Sequence, residues 1–265
     1  MAVLMNPTER KFSPVPIPAF SDNYHWLLHD AGQALVVDPG DAGPVLDYLT
    51  KHQLRLSTIL LTHHHADHTG GVARLLSAYP ECAVWGTGDR RMPGATRAVA
   101  EGDVVDVPEL GLQFKVLEVP GHTLSHIVFY NEDMLFCGDT LFSIGCGRLF
   151  EGSPSQMLQS LDKLLSLPAN IRAFPAHEYT RDNIRFARQV EPDNQALLDY
   201  SAEVDQLRAA GRPSLPTTLR REQACNPFLR TREPSVIAAA QQRDPRCTAL
   251  PADVFAVIRR WKDQF

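Results

Sequence analysis

Four histidines and one aspartate fall within six residues, His63–His68, directly after the apolar stretch that ends at Leu61 and just before Gly70-Gly71. No other feature of the chain constrains its fold as tightly. The segment LSTILLTHHHADHTGG (56–71) reads as a strand, a polar loop and a glycine pair that opens a helix. The two-residue period of a strand aims His63 and His65 the same way. The turn into the helix points Asp67 and His68 toward a second position. Buried without a metal, such a cluster would strand polar rings, at roughly 1–3 kcal/mol for each unsatisfied group. Ligands on the loop after a strand also occupy the usual place of an α/β active site. His64 reads as an ordinary loop residue, as do His25, His29, His52 and His126.

The same pattern recurs three times. Apolar strands Phe114–Val119, Met134–Cys137 and Arg172–Phe174 lead into Pro120-Gly121-His122-Thr123, Gly138-Asp139-Thr140 and Pro175-Ala176-His177-Glu178. Seven donors result: His63, His65, Asp67, His68, His122, Asp139 and His177. Seven exceed one tetrahedral zinc site. They suit two divalent ions if one carboxylate bridges, and Asp139 is the natural bridge. One ion would take His63, His65, His122 and Asp139, the other Asp67, His68, His177 and Asp139. Such donors fit zinc, with iron or manganese as alternatives. Asp38, closing the strand Ala34–Val37, reads equally well as a turn residue or as a hydrogen-bond partner that orients a ligand histidine.

The remaining candidate strands are Trp26–Leu28, Thr58–Leu61, Ala83–Trp85 and Ile127–Phe129. Helical spacing marks Ala42–His52, Gly70–Ala78 and Ser155–Ser166, the last opened by Ser153-Pro154. This pattern alone predicts an α/β protein with one sheet flanked by helices. From Glu178 the texture turns helical, over Thr180–Val190, Asn194–Ala210, Ser235–Gln241 and Pro251–Asp263, with no convincing strand. Two domains are expected, 1–176 and 177–265. Charge shifts with them. Residues 1–177 carry 12 basic and 19 acidic side chains, and residues 178–265 carry 14 and 12. The acidic first part argues against a nucleic-acid track, and no apolar run is long enough to span a membrane. Five cysteines without a CxxC pair exclude a fully paired disulfide framework. The sequence predicts a cytoplasmic monomer without a signal peptide.

Taken together, the residues resemble the glyoxalase II (hydroxyacylglutathione hydrolase) family of the metallo-β-lactamase superfamily. HxHxDH at His63–His68 marks the superfamily. Ser21-Asp22-Asn23-Tyr24, Val37-Asp38-Pro39-Gly40, Gly145-Cys146-Gly147-Arg148, Ala176-His177-Glu178-Tyr179-Thr180, Cys225-Asn226-Pro227-Phe228-Leu229-Arg230 and the tail Arg259–Phe265 mark the family. The resemblance implies a four-layer αββα sandwich followed by a small α-helical domain. It implies hydrolysis of the thioester S-D-lactoylglutathione to D-lactate and glutathione by a metal-bound hydroxide, with Asp67 and Asp139 as the carboxylates of the reaction centre. It further implies that Arg148, Tyr179, Arg259 and Lys262 bind the glutathione moiety. Arg148 stands where the family often has lysine, and Phe150 where some members have tyrosine. The same donors would also serve a one-iron persulfide dioxygenase, a metal-dependent nuclease or a purely structural metal site. The tail pair Arg259 and Lys262 favours the thioesterase.

Overall fold

The structure is a computed structural model that describes residues 12–92 and 94–265. The chain separates into two compact units, one ending at Val116 and one spanning Leu117–Phe265.

In the first unit the chain runs through β1 (Val15–Ala19), β2 (Asn23–Asp30), β3 (Gln33–Val37), α1 (Ala42–Lys51) and β4 (Arg55–Leu60). It continues through the short turn α2 (Ala66–Thr69), α3 (Val72–Ala78), β5 (Ala83–Gly86), β6 (Arg97–Ala98), β7 (Val104–Val107) and β8 (Leu112–Glu118). Strands β1 to β6 form one sheet in chain order. β1, β2 and β3 pair antiparallel, and β3 to β6 pair parallel. The buried positions of β3, β4 and β5 are mostly apolar where helices cover them. Val45 and Leu49 of α1 and Leu75 of α3 close over Val36, Ile59 and Val84. Asp41 caps α1 by accepting from the Gly43 N–H at 2.8 Å. β7 and β8 form an antiparallel hairpin.

The helix expected over Gly70–Ala78 starts at Val72 instead. A Cβ on Gly71, the N-cap of α3, would collide with the Pro39 carbonyl and the Ala42 N–H, so the position that opens the helix also needs close backbone approach.

The second unit adds β9 (Ile127–Tyr130), β10 (Met134–Gly138), β11 (Leu141–Phe142), β12 (Gly145–Cys146), α4 (Pro154–Leu165) and β13 (Arg172–Pro175). It ends with α5 (Thr180–Val190), α6 (Gln195–Ala209), β14 (Thr217–Thr218), α7 (Leu219–Cys225), α8 (Pro234–Arg243) and α9 (Pro251–Asp263). Strands β14, β13, β10 and β9 lie side by side in that order, in a sheet separate from β1–β6. The single sheet expected from strand pattern is thereby corrected to two, because apolar runs do not say which strands pair. The expected absence of strands after Glu178 is corrected as well. β14 is only two residues long and exists through its pairing to Arg172 and Ala173. α7, also unforeseen, starts at a Thr218 cap that accepts from the Arg221 N–H.

α4 opens with a capping box. Ser153 Oγ accepts from the Gln156 N–H, and the Gln156 side chain accepts from the Ser153 N–H. Its Met157, Leu161 and Leu164 join Val254, Phe255 and Ile258 of α9 in one core. Two-residue strands β11 and β12 form a hairpin whose tip holds Ile144 at φ 59°. That conformation costs a β-branched residue about 1–3 kcal/mol. Among the described residues no helix is long and apolar enough to cross a membrane.

Phe255 has no exposed surface and meets the Phe228 ring edge-on at 5.6 Å. Phe255→Ala should destabilise the protein by about 3–5 kcal/mol, measured as a shifted urea midpoint at unchanged m-value.

Candidate metal centre

In the first unit the site grows from the ends of neighbouring parallel strands. β3 and β4 pair Val37 with Leu60, so Asp38 and Thr62 emerge side by side. Asp38 takes φ 50°, which turns its carboxylate onto the next strand. Its Oδ1 accepts from the Thr62 N–H at 2.8 Å, and its Oδ2 from the Thr62 hydroxyl at 2.7 Å. Oδ2 also accepts from His68 Nδ1 at 3.1 Å. These bonds fix tautomers. His68 carries its proton on Nδ1, which leaves Nε2 with the lone pair in the neutral ring. Thr62 has given its only hydrogen to Asp38, so it accepts from His63 Nδ1 at 3.1 Å. His63 Nε2 then also carries a lone pair.

That His63 Nε2 lies 3.1 Å from His65 Nδ1, and His68 Nε2 lies 3.4 Å from Asp67 Oδ2. The first unit thus holds two donor pairs. Asp38, His63 and His68 also bring one ligand atom each within 4.8 Å of one another, but the Asp38 oxygens are engaged as acceptors. Asn23 donates to Asp67 Oδ2 at 3.1 Å and steers that carboxylate. A Cβ on Gly40 would fall inside the Asp67 carbonyl, so the Asp38-Pro39-Gly40 turn needs a glycine to lie against the ligand loop. His64 is turned toward Asp89, 4.0 Å away. His25 accepts from the Asp41 N–H at 3.1 Å, and burial pushes its pKa down to about 4. It is a neutral support for the turn before α1.

The second unit repeats the scheme. His122 Nδ1 donates to the Arg148 carbonyl at 2.9 Å, which presents Nε2 outward. That Nε2 lies 3.4 Å from Asp139 Oδ2. His177 Nε2 lies 3.4 Å from the other oxygen, Asp139 Oδ1. Each oxygen of Asp139 therefore faces a different histidine, as a carboxylate bridging two ions would. Asp139 follows Gly138 at φ 48°, and its N–H donates to His126 Nε2 at 3.1 Å. A Cβ on Gly147 would collide with the Asp139 carbonyl.

Beside Asp139 and His122 lies a cavity of about 610 Å³. Its cations are Arg148, Arg185, Arg259 and Lys262; its acids beyond the donors are Asp182 and Asp263. Tyr179 stacks flat on His177 at 4.7 Å and 8°. Phe150 meets His122 edge-on at 5.2 Å and is mostly exposed. Arg259 is 4% exposed. It donates to the Cys146 carbonyl at 2.8 Å and to Asp263 Oδ1 through Nε and Nη2, and it covers the Phe228 ring. Arg148 is largely exposed, 3.9 Å from Asp263. Burial and the nearby Arg259 push the Lys262 pKa down to about 8.

All the sequence-chosen residues therefore fall into two donor sets and one cavity. His126, read from sequence as an ordinary loop residue, supports Asp139 instead, and the sequence assigns no chemistry to Asn23 or Arg185. Arg185 follows Tyr179 and Asp182 at helical spacing, which would have brought it to the same face.

The donor set fits metal ions. The lone-pair nitrogens of His63, His68 and His122 are held by protein acceptors on the opposite ring nitrogen, the arrangement that orients metal-binding imidazoles. The donors pair off twice in each unit, as a two-metal site requires.

Comparison with known proteins agrees with the fold. Residues 21–177 match the Metallo-beta-lactamase superfamily, and the fold is its αββα sandwich with a separate C-terminal helical region. The ETHE1 structure from Myxococcus xanthus is similar at TM-score 0.63 and 24% identity, covering 96% of this chain and 98% of that one. TTHA1623 in a di-iron-bound form is similar at TM-score 0.53 and 29% identity, over 62% of this chain and 91% of that one.

Residues 178–265 match a second description, Hydroxyacylglutathione hydrolase C-terminus. The hydroxyacylglutathione hydrolase of Cupriavidus taiwanensis is 51% identical over 261 residues, 94% of this chain and 98% of that protein. That of Nitrosomonas europaea is 48% identical over 250 residues, 94% and 95% of the two chains. The chain belongs to the hydroxyacylglutathione hydrolase family.

Asp38→Asn tests the tautomer scheme. An amide nitrogen facing Thr62 and His68 would push the His68 proton to Nε2 and block that donor. Metal affinity, measured by chelator competition, should fall about 10–100-fold, with the far-UV circular dichroism unchanged.

Proposed function

We propose that this chain hydrolyses S-D-lactoylglutathione to D-lactate and glutathione. His63, His65, His122 and Asp139 hold one divalent ion, and Asp67, His68, His177 and Asp139 hold the second. Zinc is the proposed metal, with iron or manganese as alternatives; the di-iron form of TTHA1623 keeps iron open. The observation that carries this reading is Asp139, with a different histidine on each oxygen, next to a cation-lined cavity. When bound, such ions supply Lewis acidity toward the thioester carbonyl and bring the pKa of water toward neutrality.

The chain's own residues do the rest. Asp38, the Arg148 carbonyl and His126 keep the donors oriented. Tyr179 and Phe142 pack around His177, leaving the cavity side for substrate. The glutathione moiety carries two carboxylates and one ammonium, and four cations facing two acids suit that charge. Lys262 and Arg148 receive a carboxylate. Arg259 mainly fixes the floor, since its guanidinium is already engaged by Cys146 and Asp263. Such remote contacts anchor the part of the substrate that does not react. In this proposal residues 1–176 are the catalytic domain and 177–265 the substrate-binding domain. The enzyme acts as a cytoplasmic monomer without nucleic-acid or membrane partners. Five free, buried cysteines suit a reducing compartment.

The test is an assay of thiol and D-lactate release from S-D-lactoylglutathione, run beside metal analysis. Near two metal equivalents per chain with release of both products are expected. A fully metallated protein that leaves this thioester intact rejects the substrate. Asp139→Ala should lower metal content and turnover together.

Lys262 gives a pH signature. Its ammonium is charged below its pKa of about 8 and neutral above. Binding of S-methylglutathione, which has no thioester, should therefore weaken as pH rises from 7 to 9.5. Lys262→Met should bind several-fold more weakly at pH 7 and lose most of that pH dependence, at unchanged metal content. Titration calorimetry of both proteins across this range separates the lysine from the ligand's own amine.

A further inference from the structure

Glu222 of α7 is wholly buried, and among the described residues no lysine or arginine forms an ion pair with it. Three donors converge on its carboxylate instead. Oε2 accepts from the Ile144 N–H at 2.8 Å and from Asn226 Nδ2 at 2.9 Å; Oε1 accepts from the Thr217 hydroxyl at 2.7 Å. Ile144 is the left-handed residue at the tip of the β11–β12 hairpin. A β-branched residue keeps that conformation only where its surroundings impose it, and the N–H bonded to Glu222 is part of that imposition.

The neighbouring positions are tied down in the same way. Asn226 Nδ2 also donates to the Gly145 carbonyl at 2.9 Å. Asn183 Nδ2 donates to the Ser143 carbonyl at 3.0 Å, and the Ser143 hydroxyl meets Tyr200 Oη at 3.0 Å. The tip is thus clamped by side chains of α5, α6 and α7.

The other end of the hairpin reaches every donor of the second unit. It begins two residues after Asp139. The Gly147 N–H donates to the Thr140 carbonyl at 3.3 Å and closes the base. The next residue, Arg148, supplies the carbonyl that orients His122. Phe142 stands edge-on to His177 at 5.8 Å.

We propose that Glu222 is a positioning residue for the metal centre. It fixes the Leu141–Cys146 hairpin, and through the hairpin it holds Asp139, the Arg148 carbonyl behind His122, and Phe142 against His177. This inference rests on the reading of Asp139, His122 and His177 as metal ligands.

The hydrogen-bonding chemistry defines the variants. In Glu222→Gln the amide oxygen still accepts from Ile144 and Asn226, while the amide nitrogen donates to Thr217. In Glu222→Leu all three donors lose the carboxylate, and only Asn226 keeps another acceptor, the Gly145 carbonyl. The full-length metallated protein is assayed by competition with a chromophoric chelator, by thermal unfolding and by steady-state kinetics. Glu222→Gln should keep the metal dissociation constant within about threefold of the parent. Glu222→Leu should weaken metal binding at least tenfold and lower kcat more than it changes KM. A folded Glu222→Leu that melts earlier but binds metal within twofold of the parent overturns the proposal.

If Glu222→Leu does not fold, Asn226→Ala takes its place, with the same tenfold weakening expected. A folded Asn226→Ala with parental metal binding overturns the proposal equally. Asp139→Ala is measured alongside. Parental metal binding in that variant rejects the ligand reading itself. Weakened binding there beside an unaffected Glu222→Leu removes only the role of Glu222.

Discussion

The carboxylate of Asp38 decides what the histidine cluster of the first unit can be. An imidazole offers a lone pair on one nitrogen only when its proton is held on the other. Asp38 holds the His68 proton directly and that of His63 through the Thr62 hydroxyl. It reaches both because its backbone bends left-handed at the end of β3 and because Gly40 lets the turn lie against the Asp67 peptide. A parallel strand pair, one left-handed residue and one glycine thus turn a string of polar side chains into oriented donors.

The second unit solves the same problem with backbone groups. The Arg148 carbonyl holds the His122 proton, and the Asp139 N–H is fixed by His126. His126 Nε2 must accept that N–H, so its own proton is on Nδ1, directed at the Thr140 hydroxyl 3.2 Å away. A ring of this kind supports the centre without contributing a donor to it. The difference between His122 and His126 is one of environment rather than residue type.

That difference marks how far the sequence can be read. The seven candidate ligands could be picked out because ligand chemistry is a property of residue type and short spacing. α5 and α9 were legible because Glu191-Pro192 and Pro251 punctuate strong helical patterns. β1 was not, since Pro16 and Pro18 read as strand breakers; it survives as an edge strand paired only to β2. The β11–β12 hairpin was invisible because two-residue strands have no period. Its order comes from Asn183, Tyr200, Glu222 and Asn226, about 40 to 80 residues further along. The grouping of strands into two sheets depends on pairing partners that no local pattern encodes. The burial of Arg259 was equally hidden, since a mixed-charge tail looks the same on a surface and over a cavity.

Arg259 also governs how charge is distributed in the cavity. A pocket that neutralised all its cations internally would have little charge left for a ligand. One that left them all unpaired would crowd four like charges. The structure divides the task. Asp263 and the Cys146 carbonyl satisfy Arg259 and anchor α9 to the hairpin that ends beside Arg148. Lys262, one turn along the cavity wall, donates to the Asp182 carbonyl at 3.3 Å and lies against the rings of Phe186 and Phe265. Burial and the neighbouring guanidinium destabilise its ammonium, which is why its pKa falls to about 8. The buried arginine that builds the floor thus also lowers the pKa of the lysine beside it.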